Sequence, residues 1–202
     1  VHEYAGDCRA WEPQVRYLSR NYRCITFNAR GYPPSGVPKD EAAYSQDAVR
    51  DDVIAVMNAA GIDRAHVVGH SMGAYTTLHV GLAYPQRCLS LTVAGCGWGS
   101  NPETRAESVK LAEGIAKMFL DEGIESAGAK YADFGMRQQY KNKDPRGWRE
   151  FETWMKQHSA LGHANTMLGL QLKRPTLWDL KDRLKTMHVP TLVIVGDEDE
   201  SC

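Results

Sequence analysis

Apolar positions along this chain follow two alternating spacings. Strand-length apolar runs stand at Arg23-Cys-Ile-Thr-Phe-Asn28, Ala65-His-Val-Val-Gly69, Leu89-Ser-Leu-Thr-Val-Ala94 and Pro190-Thr-Leu-Val-Ile-Val195. Short continuous runs bounded by turn residues predict buried strands. Between them, Val49, Val53, Val56, Met57 and Ala60 recur at helical spacing, with Gly61 where a C-terminal cap belongs. Ala74, Leu78, Leu82 and Ala83 mark one side of a further helix that stops before Pro85. Breakers crowd Gly31-Tyr-Pro-Pro-Ser-Gly36 into a loop. Strand, helix, strand, helix, strand in this order predicts an α/β fold: a mostly parallel sheet with helices on both faces.

The pattern changes after Gly95-Cys-Gly-Trp-Gly99. From Asn101 to about Leu184 no segment has the pattern of a strand. Asn101 and Pro102 are expected to be an N-cap and first helical position, and Trp148, Phe151 and Met155 form a helical stripe. The chain therefore divides into a first core part at residues 1–98, a helical insertion at 99–186, and a returning core strand with its loop at 187–202. No internal repeat or low-complexity linker interrupts this plan.

Charge and cysteine content remove several classes of function. Of 202 residues, 24 are Lys or Arg and 25 are Asp or Glu, a net charge of -1. Nucleic-acid binding needs a basic face that displaces phosphate counterions, and an anionic membrane surface needs a polybasic one. Neither partner is expected. No apolar run approaches the ~20 residues of a membrane span. The five cysteines are odd in number, widely spaced and without a C-x-x-C pair. Free thiols in a reducing, cytoplasmic compartment are the expectation.

The chemistry centres on Gly69-His-Ser-Met-Gly73, which follows a strand and opens a helix. That context gives G-x-S-x-G its meaning as a sharp turn presenting Ser71 at the end of the sheet. Small residues two before and two after the serine keep neighbouring backbone from clashing. The helix N-terminus favours developing negative charge, and the Met72 N–H is a candidate oxyanion donor. A serine nucleophile needs a base, and the base needs an orienting acid. Gly196-Asp-Glu-Asp199 closes the last strand on the same edge of the sheet.

With these motifs, and with Asn28-Ala-Arg-Gly31 after the first strand, the chain resembles the α/β-hydrolase superfamily with a helical cap, over essentially its whole length. The resemblance implies an ester, lactone or related carbonyl substrate of small size, a Ser-His-Asp triad, and no metal or organic cofactor. C–C bond hydrolysis and perhydrolysis belong to the same fold, as does a non-catalytic ligand-binding relative. The acid implied is Asp199, with Asp197 and Glu198 as fallbacks. A His-Gly-x-x-Gly turn in that family matches His2-Glu-Tyr-Ala-Gly6, followed by a helix containing Trp11, Val15 and Leu18. It implies Tyr4 as the second oxyanion N–H and a structural role for His2. Glu3 replaces the usual glycine and either crowds the turn or places a carboxylate near the site.

The resemblance places the catalytic histidine after the acid, yet only three residues follow Asp199. His66, His79 and His188 are expected to be structural, and His70 to line the pocket. His158 and His163 of the cap could face the pocket but fall outside the family's order. The expectation is a polypeptide continuing at both ends, its base supplied from beyond Cys202 and these 202 residues inactive alone. A dinucleotide site at Gly95-Cys-Gly-Trp-Gly-Ser100 is disfavoured because the third glycine is displaced and no ribose-binding acid follows.

Overall fold

The computed structural model describes residues 1–199. Its centre is a parallel sheet of three strands, β1 (Ala65–His70), β2 (Cys88–Ala94) and β3 (Thr191–Ile194), in that spatial order. Val67 stands opposite Leu91, and Leu91 opposite Thr191. Val1 continues the pattern on the outer edge of β1: its nitrogen donates to Val68 O at 2.6 Å, and its carbonyl accepts from His70 N at 3.2 Å.

Helix α1 (Glu12–Leu18) precedes α2 (Gln46–Ala59), and α3 (Met72–Ala83) links β1 to β2. Ser45 caps α2 by accepting from Ala48 N, and Gly61 ends it at φ +67°. Of the predicted stripe, Val49, Val53 and Met57 are buried in α2, while Val56 and Ala60 are only half-buried. α3 is buried almost all round, from Met72 to Gly81. Val53, Met57, Val67, Ala74, Leu78, Leu91 and Val93 form one apolar core between α2, α3 and the sheet.

The interval between β2 and β3 is helical, as expected: α4 (Arg105–Ala132), α5 (Gln138–Lys143), α6 (Pro145–Met155), α7 (Ala160–Asn165) and, after a π-helical turn, α8 (Lys181–Lys185). α4 breaks at Gly123, whose φ is +75°. A second core joins this block to the first part of the chain through Tyr4, Tyr32, Met72, Phe119, Tyr131 and Met155. At one point the two parts meet backbone to backbone. A Cβ on Gly162 of α7 would lie 1.9 Å from Gly31 O, so neither wall can retreat behind a side chain. Among the described residues, no helix is long and apolar enough to cross a membrane.

Four expectations change. Arg23–Asn28 joins no ladder. Asn101 does not cap a helix. It closes a turn by accepting from Glu103 N, and the helix begins at Arg105 behind Thr104. The implied helix forms at Glu12–Leu18 with Val15 and Leu18 in it, but Trp11 stands just before it. β3, expected to be buried, is exposed along its length, with Val193 at 67%. It pairs with β2 alone, and among the described residues no strand lies on its outer edge.

Candidate active site

Ser71 is the last non-helical residue between β1 and α3, and its backbone is at φ 52°, ψ −112°. No other residue than glycine among those described has a positive φ. Side chains avoid this region because Cβ crowds the backbone, at a cost on the order of 1–3 kcal/mol. The surrounding bonds hold the turn. Ser71 N donates to Ala94 O at 2.8 Å, and Ser71 O accepts from Ala74 N and Tyr75 N. The flanking glycines are needed for contact: a Cβ on Gly69 would fall 2.1 Å from Gly73 O, and one on Gly73 2.2 Å from Val1 O. Met72 N lies in the first helical turn, where helix geometry provides no intrahelical acceptor.

The His2–Gly6 turn lies beside this one. His2 is buried, and burial lowers its pKa to about 4. It is therefore neutral near pH 7. Ala29 N donates to its Nε2 at 2.9 Å, so Nδ1 carries the proton and donates to Glu3 O at 2.6 Å. Tyr4 is also buried; its hydroxyl donates to His163 O at 3.0 Å, and its carbonyl accepts from the Tyr32 hydroxyl. The backbone of Tyr4 is thereby anchored from both core and cap.

Glu3 does not crowd the turn. Its carboxylate takes a two-pronged ion pair from Arg137, with Nη2 at 2.5 Å and Nη1 at 3.2 Å. Burial alone would raise the Glu3 pKa, but Arg137 and, less strongly, His70 bring it to about 2. Arg137 also stands over the Phe151 ring at 4.9 Å. Both residues line a cavity of about 920 Å3, together with His70, Tyr140, Phe151 and His158.

A second tie joins the turn to the cap. His158 Nε2 and Asp7 Oδ2 are 3.0 Å apart, and His158 Nδ1 lies 3.1 Å from His163 Nε2. Although burial opposes it, hydrogen bonds from His158 and Arg9 hold the Asp7 carboxyl well below the usual range. Neither tie was foreseen in the sequence. A carboxylate in place of the turn glycine calls for a counter-charge, but nothing in the residue pattern singles out Arg137 among the cap's basic residues.

Asp197, Glu198 and Asp199 lie exposed beyond β3. Asp199 N donates to Gly196 O at 3.2 Å. A Cβ on Gly95 would lie 3.3 Å from His70 Nε2 and 3.7 Å from Asp199 Oδ2, so both groups approach the end of β2. Glu198 turns away and accepts from Gln139 Nε2. His158 and His163 are committed to Asp7 and to each other. His66 pairs with Ser90 at 2.7 Å, and His79 lies in the second half of α3. Among the described residues no cluster of three or more metal-ligating side chains occurs.

The buried charges make stability acid-sensitive in two windows. His2 is neutral in the fold and takes a proton readily once unfolded. Its contribution is full above pH 6.5 and is lost as pH falls toward 4. Glu3 is ionised in the fold, so its contribution is present above pH 4.5 and disappears toward pH 2. Arg137→Met leaves the Glu3 carboxylate buried without its partner and is expected to cost about 3–5 kcal/mol at pH 7. Chemical denaturation across pH 3–8 should show the variant's deficit begin to shrink, on acidification, above pH 4.5, because burial without Arg137 raises the Glu3 pKa and lets it take a proton there. A deficit independent of pH would mean that lost packing, not charge, is responsible.

A parallel sheet, a strained serine between strand and helix, and a helical block inserted before the last strand define an α/β-hydrolase architecture. A family model described as the alpha/beta hydrolase fold matches residues 1–201, and the chain belongs to that family. It is 29% identical over 197 residues to 3-oxoadipate enol-lactonase 1 of Acinetobacter baylyi, covering 94% of this chain and 66% of that protein. It is likewise 29% identical over 199 residues to a putative carbamate hydrolase RutD of Pantoea ananatis, again 94% and 66%. The chain thus spans just under two thirds of the length of these curated relatives. The enol-lactonase of Burkholderia xenovorans shares the fold at a TM-score of 0.82 and 21% identity, covering 99% of this chain and 72% of that one. MenH of S. aureus does so at 0.85 and 18%, covering 98% and 73%.

Proposed function

We propose that the protein is a serine hydrolase acting on a small carboxylic ester or lactone. The observation that carries this reading is the strained backbone of Ser71 at the junction of β1 and α3. Such strain persists only where the surroundings over-determine it, and it is typical of functional sites. An enol-lactonase and a carbamate hydrolase among the relatives favour attack on an acyl carbon. Ser71 Oγ attacks the substrate carbonyl as its proton passes to a histidine. The Met72 and Tyr4 N–H groups receive the oxyanion, the leaving oxygen takes the proton, and water releases the acyl group from Ser71. Asp199 orients the histidine. It is favoured over Glu198, which is engaged by Gln139, and its Oδ2 faces Gly95 at the end of β2. His158 and His163 are set aside as the base, because they are held in the Asp7 network.

A fluorophosphonate probe on the intact protein tests the nucleophile. Labelling of Ser71 that vanishes in Ser71→Ala is expected, together with turnover in a panel of aryl esters, lactones and vinylogous diketones. A folded protein that takes no label would favour the non-catalytic, ligand-binding alternative. Preference for vinylogous diketones would favour C–C bond hydrolysis.

A further inference from the structure

The direction of the Tyr4 N–H is fixed through the other end of the same peptide group. A trans peptide is planar, so its N–H points opposite to its C=O. The carbonyl of that group is Glu3 O, which accepts from His2 Nδ1 at 2.6 Å and from Gly6 N at 3.2 Å. The core holds this peptide from one side: Ala29 N donates to the His2 ring, and the Tyr32 hydroxyl to Tyr4 O. The cap holds it from the other. Glu3, before the peptide, takes both prongs of Arg137. Tyr4, after it, meets the Tyr131 ring edge-on at 5.5 Å and bonds His163 O of α7. The turn also lies against the helix of the nucleophile, since a Cβ on Gly73 would fall 2.7 Å from His2 O. A shift of the turn is therefore a shift relative to Ser71.

An ion pair is a poor choice here for strength alone. Desolvation of two charges offsets much of their attraction, and apolar side chains of similar volume often serve a fold as well. The Glu3 and Arg137 side chains are only 13% and 14% exposed, so most of that desolvation is incurred. What the guanidinium adds is direction, because its planar fork meets a carboxylate in a fixed orientation. Arg137 is itself held in place. It ends the turn between α4 and α5, its N donates to Phe134 O at 2.8 Å, and its guanidinium lies over the Phe151 ring of α6. A carboxylate at position 3 thus registers the turn against the cap.

On the basis of the hydrolase reading above, we propose that Glu3 and Arg137 are positioning residues for the oxyanion. Their fork aims the Tyr4 N–H at the substrate oxygen, and the donor is in place only while the cap is seated on the turn. Loss of the fork should act on the transition state and leave ground-state binding alone. The test uses an ester that the intact protein hydrolyses and its thiono counterpart, whose sulfur replaces the carbonyl oxygen and accepts hydrogen bonds poorly. Wild type is compared with Arg137→Met and with Glu3→Met/Arg137→Met. The double variant leaves no buried unpaired carboxylate, so it should melt close to wild type, whereas Arg137→Met should not. Both are expected to lower kcat for the oxygen ester by about 10²-fold with KM unchanged, the loss that a displacement of about 1 Å brings. The thiono ester draws little from the donor and should lose far less, so the preference for oxygen over sulfur falls with kcat. A rise in KM with kcat unchanged would assign the pair to substrate binding and overturn the proposal. Equal losses on the two esters would overturn it as well, since the damage would not be at the oxyanion. So would a double variant that regains wild-type kcat along with its melting temperature, because the pair would then serve stability alone. A wild type that turns over no ester or lactone would remove the hydrolase reading itself, and the role of the pair with it.

Discussion

Replacing Ser71 by alanine should lower kcat of the intact enzyme by about 10⁴- to 10⁶-fold, because no other group in the turn can supply the attacking oxygen. Stability should move in the opposite sense to activity. The backbone at φ 52°, ψ −112° is one that glycine enters freely and a side chain does not. Ser71→Gly should therefore be as inactive as Ser71→Ala but more stable than wild type, by about 1 kcal/mol once the extra freedom of the unfolded glycine is offset. Single-turnover kinetics and thermal melts on the three proteins separate the effects. Ser71→Ala retaining kcat within about tenfold of wild type would remove Ser71 from the chemistry. Ser71→Gly melting below wild type would mean that the hydroxyl itself supports the fold.

The second large effect is expected at Gly69. An alanine Cβ there would meet Gly73 O at 2.1 Å and Thr77 Oγ1 at 2.4 Å. The obstacle is backbone of the first turn of α3, which is itself packed closely: a Cβ on Gly73 would lie 2.2 Å from Val1 O. No rotamer change can relieve it. Gly69→Ala should lose more than about 3 kcal/mol and abolish probe labelling, because strand and helix can separate only by reorienting Ser71. Gly114→Ala is the matching control. It lies inside α4 with nothing within 4 Å of the added carbon and should stabilise by about 1 kcal/mol. Equal stability of the two variants in urea would show that the close approach at Gly69 is relaxed in solution.

Features governed by neighbours in the chain were legible in the sequence. The β1–Ser71–α3 turn could be read because strand, serine and flanking glycines are contiguous, and its geometry depends on those residues. The stripe of α2 was visible because a single helix face has a fixed period. Pairings across the chain were not visible. Glu3 and Arg137 stand 134 positions apart, and Asp7 and His158 stand 151 apart. No periodicity encodes such partners; they are set by how the cap lands on the turn. β3 shows the reverse error. Thr191-Leu-Val-Ile194 has the composition of a buried strand, but burial depends on what packs against it, which composition alone does not supply.

The contact between Gly31 and Gly162 sets where the helical block can part from the first part of the chain. α7 is fastened there with no side chain to compress. It is fastened again through Tyr4 on His163 O and through Asn165, whose Nδ2 donates to Lys39 O at 3.2 Å. Lifting α7 would break these bonds together. The cavity walls at Arg137, Tyr140 and Phe151 belong to the segment before it, and α4 bends upstream at Gly123, where nothing lies within 4 Å. The helical block is therefore pinned at α7 and free of contact at its Gly123 bend, and the ion pair between Glu3 and Arg137 ties the segment between them to the turn after Val1.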